Sequence, residues 1–345
     1  MGLSGAGANR KGPAMGTRGL PSPLAALAVA LFIPLATLAL AACGSSGSSK
    51  ATTPLPTPTM TGTIAFERVV GPHLDSDIYV VNTDGTGLRR LTDDPGWEEH
   101  PSWSPDGSKI AWVVGCVMPC LATPLPRGGA IDPRIWVMNA DGSGKVQLTR
   151  GSVRGVQPTW SPDGNQIAFA EPNGDGFSVV NADGTGLRQV TSQGGHPAWA
   201  PDSEIVFLGS VEQSPVNSDV FAVKSDGSGL MKLTRGWDVN DFGLSPDGRW
   251  LAIHDVPGDR VVAVPAQGVG APVTLLASVS DYVAIEPLNA SIAPAWSPDG
   301  KALALATSDT WGIKGSRIYI VNADGSGLTA VPGVDKAIAP AWRPQ

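Results

Sequence analysis

The chain has 345 residues and a formal net charge of −7, and 43 of its residues are Gly and 31 are Pro. So many turn-forming residues argue against long helices, while 42% apolar residues are too many for a disordered chain. Lys and Arg form no run beyond pairs, so the composition excludes an extended nucleic-acid-binding surface.

The first segment, residues 1–42, has the pattern of an export signal. Three Lys and Arg residues precede an uncharged apolar run over 24–40, and Leu40-Ala41-Ala42-Cys43 ends it. This resembles the lipobox of bacterial lipoproteins, in which the peptide is cut before a cysteine that carries lipid. The resemblance implies that Cys43 is the lipidated N-terminus of an acidic protein held on the extracytoplasmic side of a membrane. A plain transmembrane helix over 24–40 is the alternative.

The next segment, 43–60, begins with Cys43 and continues with Gly/Ser-rich and then Pro/Thr-rich sequence. It has almost no large apolar side chain, so it cannot offset the entropy of ordering. We predict a flexible tether here, some tens of ångströms long at most.

Residues 61–345 consist of copies of one pattern. An apolar strand leads to N-x-D-G-[ST]-G, then to a short strand ending in Leu-Thr or Val-Thr, then to P-x-W-S-P-D-G. The mean spacing of about 47 residues, with four strand candidates a unit, predicts an all-β, six-bladed β-propeller of four-stranded blades. The first strand lacks a preceding P-x-W-S and the last P-A-W lacks a following strand. We therefore expect the N- and C-terminal strands to share one blade and close the ring.

With these two motifs in fixed order, the sequence over 61–345 resembles the propeller of TolB-type proteins. That family carries an α/β domain ahead of its propeller, which the short segment 43–60 does not provide. The resemblance therefore extends to the propeller alone.

The recurring motif residues are predicted to be structural. Asp in S-P-D-G and N-x-D-G recurs in nearly every blade and suits a tight hairpin turn rather than catalysis. Large flat side chains at one register predict wedges between adjacent blades. These are Trp103, Trp160, Trp199, Trp296 and Trp342, with Leu244 in the remaining copy.

The links between strands predict two different faces. Both hairpin motifs emerge on one face, here called the hairpin face, and the irregular links emerge on the other, here called the loop face. Variable loops on a rigid scaffold usually carry binding, so we expect a partner on the loop face. Trp97, Trp237 and Trp311 lie outside the wedge register and are predicted partner contacts.

Candidate chemistry is limited to one ring of residues. No G-x-S-x-G, H-E-x-x-H, Walker or dinucleotide fingerprint is present. The residue before each P-x-W is polar in four consecutive copies, His100, Gln157, His196 and Asp241, and we expect these to ring the channel mouth. They could hold a divalent metal or a polar ligand. The interpretation that we favour is that a polar residue there closes the loop entering each innermost strand.

Cys116 and Cys120 lie in a Gly/Pro-rich excursion over 115–133. In an oxidising compartment this C-x-x-x-C predicts a disulfide that pins the loop.

These observations together predict a monomeric, lipid-anchored, extracytoplasmic propeller. It binds a protein or glycan of the cell envelope through the loop face, without catalysis and without a cofactor. The alternative is a metal-dependent lyase or lactonase at the channel mouth.

Overall fold

The computed structural model describes residues 62–70, 75–94, 97–115, 132–209, 218–234, 237–255, 258–267, 271–278, 294–307 and 316–345. These form 24 strands in six four-stranded antiparallel sheets, which we number as blades in chain order. Blade 1 consists of β1 (Thr63–Val70), β2 (Asp75–Asn82), β3 (Arg89–Arg90) and, from the other end of the chain, β24 (Ala337–Trp342). Blade 2 consists of β4 (Glu98–Trp103), β5 (Lys109–Val114), β6 (Arg134–Asn139) and β7 (Val146–Gln147).

The remaining four blades each run through four consecutive strands. Blade 3 consists of β8 (Val156–Trp160), β9 (Gln166–Ala170), β10 (Phe177–Asn181) and β11 (Arg188–Thr191), with a single 3-10 turn at Pro172–Gly174. Blade 4 consists of β12 (Gly195–Trp199), β13 (Glu204–Gly209), β14 (Asp219–Lys224) and β15 (Met231–Lys232). Blade 5 consists of β16 (Val239–Leu244), β17 (Trp250–Asp255), β18 (Arg260–Pro265) and β19 (Val273–Leu276). Blade 6 consists of β20 (Ala295–Trp296), β21 (Ala302–Thr307), β22 (Arg317–Asn322) and β23 (Thr329–Ala330).

The innermost strands β24, β4, β8, β12, β16 and β20 contact one another in a closed ring. Blade 1 has the strand order β24-β1-β2-β3, with Trp342 opposite Ile64. The predicted all-β six-bladed propeller, closed by strands from both ends of the chain, is therefore confirmed. Within the described ranges, no helix is long and apolar enough to cross a membrane.

The core lies between the blades. Six buried apolar clusters occur among the described residues, and each is shared by two adjacent blades. The second and third strands supply most of these side chains because alternate residues of a strand face opposite neighbours. Each blade is therefore stabilised mainly by the blades on either side of it.

The wedge tryptophans bond across the blade interfaces. Trp160 Nε1 donates to Ser102 O of the preceding blade at 3.2 Å. Equivalent bonds of Trp103, Trp296 and Trp342 reach the same backbone position of the blade before, Ala341, Gly243 and Ala295, at 2.9–3.2 Å. These four indoles are at most 9% exposed, so the predicted wedge role is confirmed for them.

The hairpin carboxylates bond within their own turns. Asp106 accepts hydrogen bonds from the Ser104 hydroxyl at 2.6 Å and from the Ser108 backbone at 3.0 Å. These bonds lower the pKa of Asp106 to about 2. Asp84 and Asp324 accept equivalent bonds in the other hairpin, which confirms that the recurring Asp residues are structural.

Candidate binding site at the loop-face mouth of the channel

The four predicted site residues lie at a β-bulge of the innermost strands, one or two residues after the strand start at which the sequence placed them. In β4, Glu99 pairs with Val113 and Ser102 with Ala111, so His100 and Pro101 together face one partner residue. The same bulge interrupts β8, β12, β16 and β24. The bulge is therefore part of the fold, and it changes the direction of a side chain in each of these strands.

The bulge needs an unusual backbone conformation. His100, Gln157 and His196 each have φ of 53°, in the left-handed region, and Ala339 has φ of 48° at the equivalent place in blade 1. Such a φ is disfavoured for any residue with a side chain. Because Ala339 adopts it too, the strain belongs to the scaffold. The polar side chains of His100, Gln157 and His196 are therefore not required by the backbone, and Asp241 does not share the positive φ.

Three of the four predicted residues form one chain across blades 3, 4 and 5. The Gln157 amide contacts His196 Nε2 directly, and Gln157 Oε1 accepts the His196 backbone N–H at 3.2 Å. His196 Nδ1 lies 3.4 Å from Asp241 Oδ1. The Asp241 carboxylate also accepts the Phe242 backbone N–H at 2.8 Å. This polar chain spans two blade interfaces on the loop face.

His100 stands apart from that chain, beside the carboxyl groups of blades 1 and 2. Its Nδ1 lies 3.9 Å from Glu99 Oε2. Burial and the neighbouring His196 lower the pKa of His100 to about 4, with Asp241 acting in the opposite sense. Burial raises the pKa of Glu99 to about 8. Burial therefore disfavours the charged form of both side chains.

Two further polar residues of this region were missed from the sequence. Glu67 is 5% exposed and accepts hydrogen bonds from the His100 backbone and Ser76, while burial and Glu99 raise its pKa. His254 is fully buried opposite the bulge at Asp241, and in the described part of the chain neither of its ring nitrogens has a partner. Burial lowers the pKa of His254. Both are the fifth residue of a second strand that is otherwise apolar at its centre, which was the available signal.

The arrangement is not a preformed metal centre. Among the described residues, no group of three or more His, Cys, Asp or Glu side chains could hold a metal ion. Both ring nitrogens of His196 face protein groups, Gln157 on one side and Asp241 on the other. A metal at this place would have to displace one of those contacts. The polar chain of Gln157, His196 and Asp241 is instead suited to exchanging hydrogen bonds with a polar ligand.

The predicted tryptophan contacts have different surroundings. Trp97 is only 9% exposed and forms a bridge to Ser76, so the expectation that it is an exposed contact is wrong. It is held between blades 1 and 2 by backbone pairing. Trp237 is partly buried, and the Arg260 guanidinium lies 5.4 Å from its ring centre. Trp311, Cys43, Cys116 and Cys120 lie outside the described residues.

Exposed large apolar side chains are found at the other end of the blades. Among the described residues they are Leu88, Val146, Leu187, Leu230 and Met231. All follow the N-x-D-G-type hairpins, where the outermost strands begin. The hairpin face therefore has an apolar outer rim that the sequence analysis did not anticipate.

Comparison with known proteins finds several relatives of parts of the propeller. No family model matches the sequence. The chain is 26% identical over 192 residues to "Uncharacterized peptidase YuxL" of Bacillus subtilis, covering 44% of this chain and 28% of that protein. It is 32% identical over 123 residues to "Protein TolB homolog" of Chlorobaculum tepidum, covering 35% of this chain and 25% of that protein. The chain thus spans about a quarter of the length of these relatives.

Solved structures share the fold. TolB from Acinetobacter baumannii superposes with a TM-score of 0.65 and 20% identity, covering 82% of this chain and 67% of that one. An oligogalacturonate lyase in complex with manganese superposes with a TM-score of 0.50 and 15% identity, covering 71% of each chain. At such identities the likeness concerns architecture.

Proposed function

Since the chain is a TolB-like six-bladed β-propeller, we propose that it is a lipid-anchored, extracytoplasmic module that binds a protein of the cell envelope. A glycan of the envelope is the other ligand class with which the site's chemistry is compatible. The loop face is the proposed partner surface, and the protein acts as a monomer. Binding rather than catalysis is the proposed activity.

The polar chain of Gln157, His196 and Asp241 is the observation that carries this proposal, and we propose that it lies at the channel mouth. Gln157, His196 and Asp241 join three blades on the loop face. The left-handed backbone at Gln157 and His196 does not require a polar side chain, since Ala339 adopts it too. Polar groups at the end of a closed channel can orient a ligand, while flanking loops add contact area. Trp237 and Trp311 are proposed as aromatic contacts within those loops.

The described part of the propeller begins on the hairpin face. Gly62 O accepts the backbone N–H of Thr83, a residue of the first N-x-D-G-type hairpin, at 3.0 Å. Gly62, the first residue that the structure describes, therefore lies at the hairpin face and not at the loop face that we propose binds the partner.

Two measurements test the two parts of the proposal. Cys43→Ser should abolish palmitate labelling and membrane retention, and continued membrane fractionation would contradict the anchor. For the face, a photo-crosslinking residue at Asn240 on the loop face should capture an envelope protein. The matched probe at Leu230, on the hairpin rim, should not capture that protein. Equal capture by both probes would contradict a loop-face partner.

A metal-dependent lyase or lactonase is the second candidate function. It rests on the four residues His100, Gln157, His196 and Asp241 and on the fold shared with the manganese-bound lyase. Calorimetry with manganese, zinc and calcium, on wild type and on the variant with His100→Ala and His196→Ala, decides between the two. Heat that disappears in the double variant, and that weakens below about pH 6, would favour the enzyme. We expect no metal-dependent heat.

A further inference from the structure

A cleft opens between blades 2 and 3 toward the hairpin face. Its volume is about 770 Å³, and its floor includes Trp160 and Leu148. At its rim stand Val146 and Leu187, which are 55% and 46% exposed. This cleft is far along the strands from the loop-face mouth, so it is separate from the site proposed above.

The equivalent interfaces on either side are bridged by an arginine. Arg89 of blade 1 donates to Asp141 O at 2.8 Å and to Ala140 O at 3.3 Å, both in the N-x-D-G hairpin of blade 2. Arg188 of blade 3 donates in the same way to Ser225 O in the hairpin of blade 4. In both cases the guanidinium of an arginine on the outermost strand donates hydrogen bonds to backbone carbonyl oxygen in the next blade's hairpin.

Blade 2 has no arginine at this register. In blades 1 and 3, the arginine of the outermost strand pairs with a valine of the third strand, Arg89 with Val80 and Arg188 with Val179. In blade 2 the equivalent valine is Val137, and its partner in the outermost strand is Val146. Ala182 and Asp183 of blade 3 correspond to Ala140 and Asp141 in the hairpin sequence. Within the described part of the chain, no side chain donates to their carbonyl oxygens.

The hairpin of blade 3 also stands farther from its neighbour. A Cβ placed on Gly184 would lie 3.4 Å from the closest atom, Leu148 O. At the two arginine-bridged interfaces the matching distances are 3.0 Å, from Gly142 to Leu91 O, and 2.9 Å, from Gly227 to Val190 O. The cleft therefore lies where the bridging arginine is missing and the hairpin also stands farther from its neighbour.

The chemistry of the cleft selects its occupant. Two carbonyl acceptors lie at one side, and the lining has three carboxylates, Asp106, Asp163 and Asp183, against two cations, Lys109 and Arg150. We propose that this cleft is a docking site for an arginine side chain of a protein partner. The guanidinium takes the place that Arg89 and Arg188 occupy at the neighbouring interfaces. An apolar residue next to that arginine packs on Val146 and Leu187.

Arginine fits this cleft better than lysine. The guanidinium is planar and presents several N–H groups in a fixed fork, so it can reach two neighbouring carbonyl oxygens at once, as Arg89 does. The ammonium group of lysine is a compact donor that gives up more hydration. The proposal therefore predicts discrimination between two peptides of equal charge.

The test is calorimetric titration of the full chain with acetyl-Gly-Leu-Arg-Gln-Val-amide and with the same peptide carrying Lys for Arg. We expect the Arg peptide to bind at least about tenfold more tightly. In Val146→Arg, the protein's own guanidinium should occupy the place proposed for the partner's arginine, so the Arg peptide should bind about tenfold or more weakly. The melting temperature of this variant should be no lower than that of wild type. Met231→Arg is the matched control, since Met231 is an exposed residue at the same register in blade 4.

The outcomes separate clearly. Absence of binding by wild type, or Val146→Arg binding as wild type does, would overturn the proposal. Equal affinity for the Arg and Lys peptides would also overturn it, because general attraction between opposite charges would then explain the binding. Variants of the loop face, such as His196→Ala, should leave peptide affinity unchanged, so failure of this inference is distinguishable from failure of the proposed function.

Discussion

The interfaces on the two sides of blade 4 differ from the other four. At the other four, a buried tryptophan donates to the backbone of the preceding blade. Blade 4 carries Trp199, whose Nε1 has no acceptor among the described residues. Blade 5 carries Leu244 at this register, which has no N–H to donate. Both interfaces of blade 4 therefore lack the repeated hydrogen bond.

The polar chain crosses these same two interfaces. Gln157 reaches from blade 3 to His196 in blade 4, and His196 reaches Asp241 in blade 5. Apolar packing continues on both sides of blade 4, around Phe207 and around Phe242. Where the repeated scaffold contact is absent, residues particular to this chain connect the blades. Individual sequence features thus concentrate where the repeat is least regular.

The strongest way to break a tryptophan-bonded interface is to remove β24. Deleting residues 337–345 takes away Trp342, its bond to Ala295 and the strand that pairs with β1. Loss of the buried indole alone costs about 3–5 kcal/mol, and two sheet edges become exposed. We expect a melting temperature at least about 10 °C lower, measured by circular dichroism. Deleting only 344–345 is the control, and an equal loss in both variants would contradict closure by β24.

A second prediction concerns how stability depends on pH through Glu98, which lies at the interface between blades 1 and 2, one of those with the tryptophan hydrogen bond. Glu98 is 1% exposed and donates its backbone N–H to Ser76 at 3.2 Å, and burial raises the pKa of its side chain to about 7. The folded protein therefore keeps a proton that the unfolded chain releases. The stability that this proton confers is complete below pH 4.5 and declines as the pH rises through 7.

Glu98→Gln removes that titration. At pH 8.5 the variant should be more stable than wild type by about 2–3 kcal/mol, and at pH 4.5 the two should be nearly equal, as measured by urea unfolding. Asp106→Asn is the control of opposite sign, because turn hydrogen bonds lower the pKa of Asp106. That variant should be less stable than wild type at pH 7, with the difference shrinking as the pH falls toward 2. A pH-independent effect of Glu98→Gln would contradict the buried proton.

The smallest effect isolates the tryptophan bond itself. Trp160→Phe removes the donor to Ser102 O, while Trp199→Phe removes an N–H that has no acceptor among the described residues. Both replacements remove the same ring atoms, but Trp160 is buried and Trp199 is only partly buried. The difference between the two losses of unfolding free energy therefore reports the hydrogen bond together with the deeper burial of Trp160. We expect Trp160→Phe to cost about 1 kcal/mol more. Equal losses would mean that the bond does not distinguish the two kinds of interface.

The repeated features were predictable from the sequence because each depends on a local pattern. Turn chemistry fixed the two hairpins, and the tryptophan register predicted the wedges. The unmatched strands at the two ends predicted closure through β1 and β24. These inferences need only the chain's own spacing and the geometry of turns and strands.

The site depends on features that no local pattern contains. The bulge that turns His196 toward Gln157 and Asp241 arises from pairing with a neighbouring strand. Trp97 is buried because it pairs with Ser76 of another blade. Val146 marks the cleft only when it is compared with Arg89 and Arg188 at the same register. Each of these facts is a relation between blades, so it needed the assembled structure.

In blade 1 the C-terminal strand β24 pairs with the N-terminal strand β1, and we call this pairing the seam. The seam sets the order in which strands can pair during synthesis. Blades 2 to 6 each consist of strands that follow one another directly, so each can pair as soon as its own stretch of chain has emerged. β1 has to wait for a partner that is made far later, since Arg68 and Asp335, which form an ion pair across the seam, are 267 residues apart. Closing so long a loop costs entropy that no local hairpin bears. The nascent chain therefore holds an unpaired edge of β1 through most of its synthesis, a period in which a chaperone can protect it.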